Sequence, residues 1–132
     1  MTEIEELARI AVDCGYHLHK EIGPGLLESV YEALLFEMLT ERGLSVARQI
    51  IVPIRYKDVV IDHAFKADII IQNTLIGELK STERFAPVHG KQLVTYLRLM
   101  NLLLGLLMNF GMYSFKDGIK RIANNYYRNM QS

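Results

Sequence analysis

The sequence has one cysteine, Cys14, among its 132 residues. A single cysteine cannot form a disulfide within the chain, so a reducing compartment is expected. Met1 is followed by an acidic run and not by the basic and apolar regions of a signal peptide. Cys14 falls in the apolar stripe of a predicted helix, where a packed thiol is expected and not a nucleophile.

Neither an excess of basic charge nor a long apolar run is present. Lys and Arg total 15, as do Asp and Glu, which argues against a large nonspecific nucleic-acid surface but allows a local basic groove. The most apolar window, residues 97–110, is shorter than the ~20 residues that a membrane helix needs. A glycine-rich phosphate loop, a zinc-ligand pattern and a Ser-His-Asp order are also missing from the sequence. We therefore expect a cytoplasmic protein that does not enter membranes.

The length predicts a single domain, residues 1–132, with a core of its own. The first third of the chain predicts two helices. Apolar residues recur at spacings of three and four from Ile4 to Leu18, and Gly23-Pro24-Gly25 ends this helix. The second helix is expected to run from that break to Arg42, with Gly43 as its stop. Its predicted buried stripe is Leu27, Val30, Tyr31, Leu34, Leu35 and Met38.

The middle of the chain is rich in Val and Ile, which predicts strands. The last third predicts a helix that begins at Pro87, a buried strand over Leu102–Phe110 and a short helix over Ile119–Asn125. The resulting fold class is an α/β (α+β) sandwich, in which helices flank a mixed sheet in the order α-α-β-β-β-α-β. The three predicted strands of the middle segment are Val46–Tyr56, Val59–Ile71 and Leu75–Ser81.

Two charged residues stand in the third of these strands. Glu78 and Lys80 are two apart, so their side chains point to the same face. A hairpin centred on Asn73 would place Asp68 directly opposite Glu78, with Cβ atoms ~5 Å apart. Two buried carboxylates so placed repel each other. A divalent cation with oxygen ligands would balance them, and Mg²⁺ is commonly held by one or two carboxylates, waters and phosphate oxygens.

The spacing of Asp68 and Glu78-Leu79-Lys80 resembles the split D…(D/E)xK signature of the PD-(D/E)XK nuclease superfamily. A second stretch, Gly25-x-x-Glu28-x-x-Tyr31, matches the pattern that names the GxxExxY proteins. The resemblance continues in order along nearly the whole chain and implies a restriction-endonuclease-like core. The later segments that are similar to this family span residues 86–99, 104–111 and 116–122.

The resemblance implies a role for each matching residue. Asp68 and Glu78 would be metal ligands for Mg²⁺ or Mn²⁺, and Glu28 would add to the metal site directly or through water. Lys80 would position or activate the attacking water. Gln92 matches a polar residue that is common on the helix after the third strand.

Three further residues carry structural expectations. Gly77 stands where the family pattern leads us to expect a β-branched residue. Gly25 lies one turn before Glu28, where a missing side chain would let the helix approach the sheet closely. Tyr96 shares a helix face with Gln92, and we expect it to pack rather than to act in the site.

The implied function is hydrolysis of phosphodiester bonds in nucleic acid, with DNA as the expected substrate. The alternative is a nucleic-acid-binding or assembly module that keeps the nuclease fold without turnover, which the neutral charge and small size support. A chain of this size could act as one half of a homodimer or as a subunit of a larger complex. The complete set of Glu28, Asp68, Glu78 and Lys80 favours the enzyme.

Overall fold

The structure, a computed structural model, describes residues 3–128. The ends of the predicted domain, residues 1–2 and 129–132, lie outside the described part. A short 3₁₀ turn, Lys116–Gly118, precedes the last strand. The helices and strands, in chain order, are α1 (Ile4–Ile22), α2 (Glu28–Glu41), β1 (Val46–Tyr56), β2 (Val59–Ile71), β3 (Leu75–Lys80), α3 (Pro87–Met100), β4 (Leu104–Asn109) and β5 (Ile119–Ala123).

The five strands form one mixed sheet in the order β1-β2-β3-β4-β5. Neighbouring strands are antiparallel except β3 and β4, which run parallel from Leu75 opposite Leu104 to Lys80 opposite Asn109. α3 supplies the crossover connection that a parallel pair requires. The predicted fold class, a mixed sheet flanked by helices, is confirmed.

The segment after the 3₁₀ turn is a strand, so the helix predicted over Ile119–Asn125 is wrong. β5 pairs antiparallel with β4 along its whole length. A spacing of three places Ile119 and Ile122 on one face of a helix but on opposite faces of a strand. Ile119 packs with the core under α1 and α2, and Ile122 packs with the core under α3. Because the segment pairs with the edge of β4 as a strand, each of the two hydrophobic cores receives one of these isoleucine side chains.

Two hydrophobic cores cover the two faces of the sheet, one under α1 and α2 and the other under α3. α1 contributes its predicted apolar stripe, and Leu7, Ala11, Cys14 and Leu18 are all buried. Burial raises the pKa of the Cys14 thiol, as expected for a packed side chain.

α2 is rotated relative to its predicted stripe. Tyr31 and Leu35 are fully buried as predicted, but Leu27, Val30 and Leu34 are exposed. The burial predicted for these three residues is wrong. The face that the helix turns towards the sheet includes an acidic residue instead.

Tyr31 fixes this rotation of α2. Its ring stacks on Phe110, with ring centroids 4.5 Å apart. Its hydroxyl donates to the carbonyl of Gly23 at 2.7 Å and accepts the N–H of Leu26 at 3.0 Å. Because the side chain is held by its ring and by its hydroxyl, the orientation of the first turn of α2 is determined.

The loop before α2 uses glycine for its backbone conformation. Gly25 has a φ of +95°, and a Cβ added there would meet no atom within 4 Å. The close approach of helix and sheet predicted at Gly25 is therefore wrong. A positive φ is the reason for glycine at this position.

The β2–β3 hairpin has the predicted register. Its pairs centre on Asn73 and run from Ile71 opposite Leu75 to Ile69 opposite Gly77. A Cβ added to Gly77 would lie 2.8 Å from Cγ1 of Ile69. The space that a β-branched residue would need at this position is thus filled by Ile69.

Gly77→Val should lower the free energy of unfolding by about 1–3 kcal/mol, because the new side chain overpacks the core. The cost should shrink in an Ile69→Ala background, where the clashing atoms are missing. Urea unfolding of the two single variants and the double variant would measure this coupling. An equal cost of Gly77→Val in both backgrounds would contradict the explanation.

Candidate active site

Main-chain pairing between β2 and β3 ends at Ile69 and Gly77, so the next opposed residues are Asp68 and Glu78. The N–H of Asp68 donates to Oε1 of Glu78 at 3.2 Å, and the N–H of Leu79 donates to Oδ2 of Asp68 at 2.9 Å. Each carboxyl group therefore accepts an N–H from the opposite strand. The structure brings the two acids together where the ladder ends, as the hairpin symmetry predicts.

Glu78 is only 7% exposed. Burial, followed by the negative charge of Asp68, raises the pKa of its carboxyl to about 8. The donated N–H of Asp68 and the positive charge of Lys80 oppose this shift without cancelling it. At neutral pH Glu78 therefore keeps its proton unless a cation lies close enough to stabilise the ionised carboxylate.

Lys80 ends β3 on the same face as Glu78, two residues further on. It is half-buried and acts on the Glu78 carboxyl electrostatically. None of the ion pairs within residues 3–128 involves Lys80. Its ammonium group is thus not committed to a single carboxylate and can interact with a bound anion.

Glu28 is the first residue of α2 and lies near Asp68. It lines the same cavity as Asp68, which has a volume of about 390 Å³. The Glu28 side chain is exposed, so it reaches this cavity from the solvent side. The remaining residues that line the cavity are Ser29, Glu32, Gln49 and Leu79.

Glu32 is a functional candidate that the sequence reasoning missed. It is 6% exposed, and its carboxylate accepts hydrogen bonds from Arg48, at 3.1 and 3.2 Å, and from the amide of Gln49. At 100° per residue, Glu32 falls on the helix face of Glu28 and Leu35. The four-residue spacing of the two acids was the signal that could have identified it.

α3 lies on the opposite face of the sheet from α2 and also comes close to the acids. Tyr96 stacks on Phe65 with ring centroids 3.9 Å apart, which confirms that it packs. Burial and then the charges of Glu78 and Asp68 raise the pKa of the Tyr96 hydroxyl. Gln92 is exposed, and within the described chain its side chain makes no hydrogen bond to these acids. Its role in the site stays a prediction.

The chemistry of this cluster suits a hard cation. Within residues 3–128, no three side chains of His, Cys, Asp or Glu form a ready-made metal cage. Two converging carboxyl groups, one of which needs a nearby cation to ionise at neutral pH, are nevertheless the kind of donor set that Mg²⁺ uses, with waters and phosphate oxygens completing its coordination. Asp68 and Glu78 therefore fit the expected ion.

A sequence profile described as the PD-(D/E)XK nuclease superfamily matches residues 5–122. The chain belongs to the PD-(D/E)XK nuclease superfamily. No curated protein and no solved structure gives a significant match. The fold agrees with the superfamily's restriction-endonuclease-like architecture, and its members are typically nucleases that use divalent metal ions.

Asp68 and Glu78-Leu79-Lys80 stand on adjacent antiparallel strands at the point where pairing ends. Between residues 3 and 128, none of the helices has the length and apolar character needed to cross a membrane.

The raised pKa of Glu78 predicts how stability depends on pH without metal. An unfolded glutamate loses its proton near pH 4.5, whereas folded Glu78 keeps it up to about pH 8. Glu78 should therefore make the free energy of unfolding fall as pH rises through this window, and leave it level above. One pKa unit corresponds to about 1.4 kcal/mol, so the total effect is several kcal/mol.

Glu78→Gln should remove this contribution. Urea unfolding in EDTA should show similar stability for the variant and the wild type near pH 4.5, and a more stable variant at pH 9. The comparison cancels the other titrating groups, which both proteins share. An equal difference at the two pH values would show that Glu78 is not buried as a neutral acid.

Proposed function

We propose that this protein is a divalent-metal-dependent nuclease that hydrolyses phosphodiester bonds in nucleic acid, with DNA as the expected substrate. The observation that carries the proposal is the meeting of Asp68 and Glu78 at the end of a strand ladder beside Lys80, where the Glu78 carboxyl needs a nearby cation to ionise at neutral pH. The Gly25-x-x-Glu28-x-x-Tyr31 pattern supports a place among the GxxExxY proteins. A cytoplasmic location is part of the same proposal.

Asp68 and Glu78 would hold Mg²⁺ or Mn²⁺, and Glu28 would contribute from the cavity wall directly or through water. Such an ion lowers the pKa of a bound water and neutralises charge that develops at phosphorus. The main-chain donor Leu79 holds the Asp68 carboxylate in a fixed orientation at 2.9 Å. The chain thus supplies preorganised oxygen donors.

Lys80 is the residue that would act on the reacting groups. Its ammonium group would hold the attacking water and stabilise the negative charge that develops on the scissile phosphate. The absence of an ion pair to Lys80 within residues 3–128 supports this role. Gln92, one turn before Tyr96 on α3, would add a polar contact to substrate.

Asp68→Asn should weaken divalent-ion binding and abolish cleavage, because a charged ligand is lost. The loss should exceed the roughly 10–100-fold effects typical of residues behind the ligands. The metal-free variant should be no less stable than wild type, since repulsion with Glu78 is relieved and the amide oxygen can still accept from Leu79. Mn²⁺ calorimetry and thermal melts in EDTA would check both parts. Wild-type Mn²⁺ affinity in the variant would exclude Asp68 as a ligand.

Lys80→Ala should show a different combination of effects. The metal-free protein should be less stable, because a cation beside two acids is removed, while Mn²⁺ should still bind. The rate should fall by about 100–1,000-fold, as for loss of one transition-state stabiliser. Lys20→Ala, an exposed lysine of α1, is the control and should cleave normally. Wild-type cleavage by Lys80→Ala would make the lysine purely structural.

These variants require a substrate, which a cleavage screen would provide. Single-stranded, duplex and branched DNA, and RNA, would each be incubated with Mg²⁺ or Mn²⁺. Cleavage that requires the metal and is lost in Asp68→Asn would support the nuclease. Absence of Mn²⁺ binding by the wild type would favour the non-catalytic module instead.

A further inference from the structure

β1 contains a backbone irregularity beside the acids. Gln49 has a φ of +50°, a left-handed conformation that is rare for residues other than glycine and unfavourable within a strand. It lies between two paired positions of β1, Arg48 and Ile50, and opposite Asp68 of β2. Such a conformation persists only where surrounding interactions compensate for its cost.

The irregularity changes which way the side chains of β1 point. Successive side chains of a regular strand alternate between its two faces. Here Arg48 and Gln49 both reach α2: two guanidinium nitrogens of Arg48 donate to Oε2 of Glu32, and the Gln49 amide donates to Oε1. The left-handed residue thus lets two consecutive residues bind one buried carboxylate.

The Gln49 amide also faces the candidate metal ligand. Its Nε2 atom lies 3.5 Å from Oδ1 of Asp68. An amide carries two N–H donors, so one can serve Glu32 while the other is directed at Asp68; the amide oxygen in this place would meet two carboxylates. Oδ2 of Asp68 is already held by the N–H of Leu79. The contact to Oδ1 is at the outer limit of hydrogen-bond length, so that oxygen remains able to take a ligand.

Glu32 holds the side chains of Arg48 and Gln49 in place against α2. It is 6% exposed, both of its oxygens accept hydrogen bonds, and Arg48 balances its charge at 3.1 Å. A carboxylate with these partners has little capacity left for a cation. Its position on α2, one turn after Glu28, instead connects the helix to β1.

We propose that Gln49 is a positioning residue: its amide, anchored on the Glu32–Arg48 ion pair, orients the Asp68 carboxylate towards a divalent cation. This inference rests on the proposed function, which supplies the cation as ligand. The strained backbone at Gln49 is retained because a regular strand residue would direct its side chain away from α2.

The Gln49→Gly variant tests the side-chain amide of Gln49 separately from its backbone conformation. Glycine keeps the left-handed conformation without strain but removes the donor. Gln72→Gly is a matched control, since Gln72 has a φ of +54° in the β2–β3 turn and its side chain bonds Ser45. Both variants relieve the same type of backbone strain, and only one of them changes the surroundings of Asp68.

The Gln49→Gly variant should melt at or near the wild-type temperature, yet bind Mn²⁺ about 10-fold more weakly, as is typical when a group behind a ligand is removed. With a cleavable substrate, kcat should fall while KM changes little. The backbone amide resonance of Leu79, which bonds Asp68, should shift in metal-free NMR spectra. Gln72→Gly should leave the Mn²⁺ affinity and the Leu79 resonance unchanged.

Unchanged Mn²⁺ affinity and an unchanged Leu79 resonance in Gln49→Gly would overturn the positioning role. A wild-type protein that binds no Mn²⁺ and cleaves no nucleic acid would instead refute the proposed function. In that case the metal-free Leu79 resonance alone decides whether Gln49 orients Asp68. A shift supports that orientation, and its absence refutes it.

Discussion

Asp68 and Glu78 each accept an N–H from the strand that carries the other acid, and the rest of the site depends on this exchange. Side chains take the place of main-chain pairing at this point, so the two acids converge because the ladder ends there. Burial then prevents water from screening the charge, which is why the pKa of Glu78 rises to about 8. A cation is the direct way to relieve this cost.

The second helix completes the site because of a packing constraint some distance away. Tyr31, held against Phe110 and by its hydroxyl, orients α2 so that its acidic face turns towards the sheet. Glu28 and Glu32 lie on that face but have different surroundings: one is exposed at the cavity, and the other is buried with Arg48. The two glutamates therefore differ in what they can do: Glu28 is available to a ligand, whereas the charge of Glu32 is balanced by Arg48.

The backbone is irregular close to the acids in both β1 and β2. β2 loses its pairing with β3 at Asp68, and β1 carries a left-handed residue, Gln49, directly opposite. Both departures aim polar groups at one small volume, which regular alternation would not allow.

The sequence by itself determined the features that depend on local spacing. The turn at Asn73 set the hairpin register, which brought Asp68 to Glu78, and strand alternation placed Lys80 on the face of Glu78. Tertiary structure decided what depends on distant partners. The last segment is a strand because β4 offers an edge, the rotation of α2 follows from the contacts of Tyr31, and the left-handed Gln49 bonds to Glu32 of α2. No periodicity encodes these contacts, since each joins residues far apart in the chain.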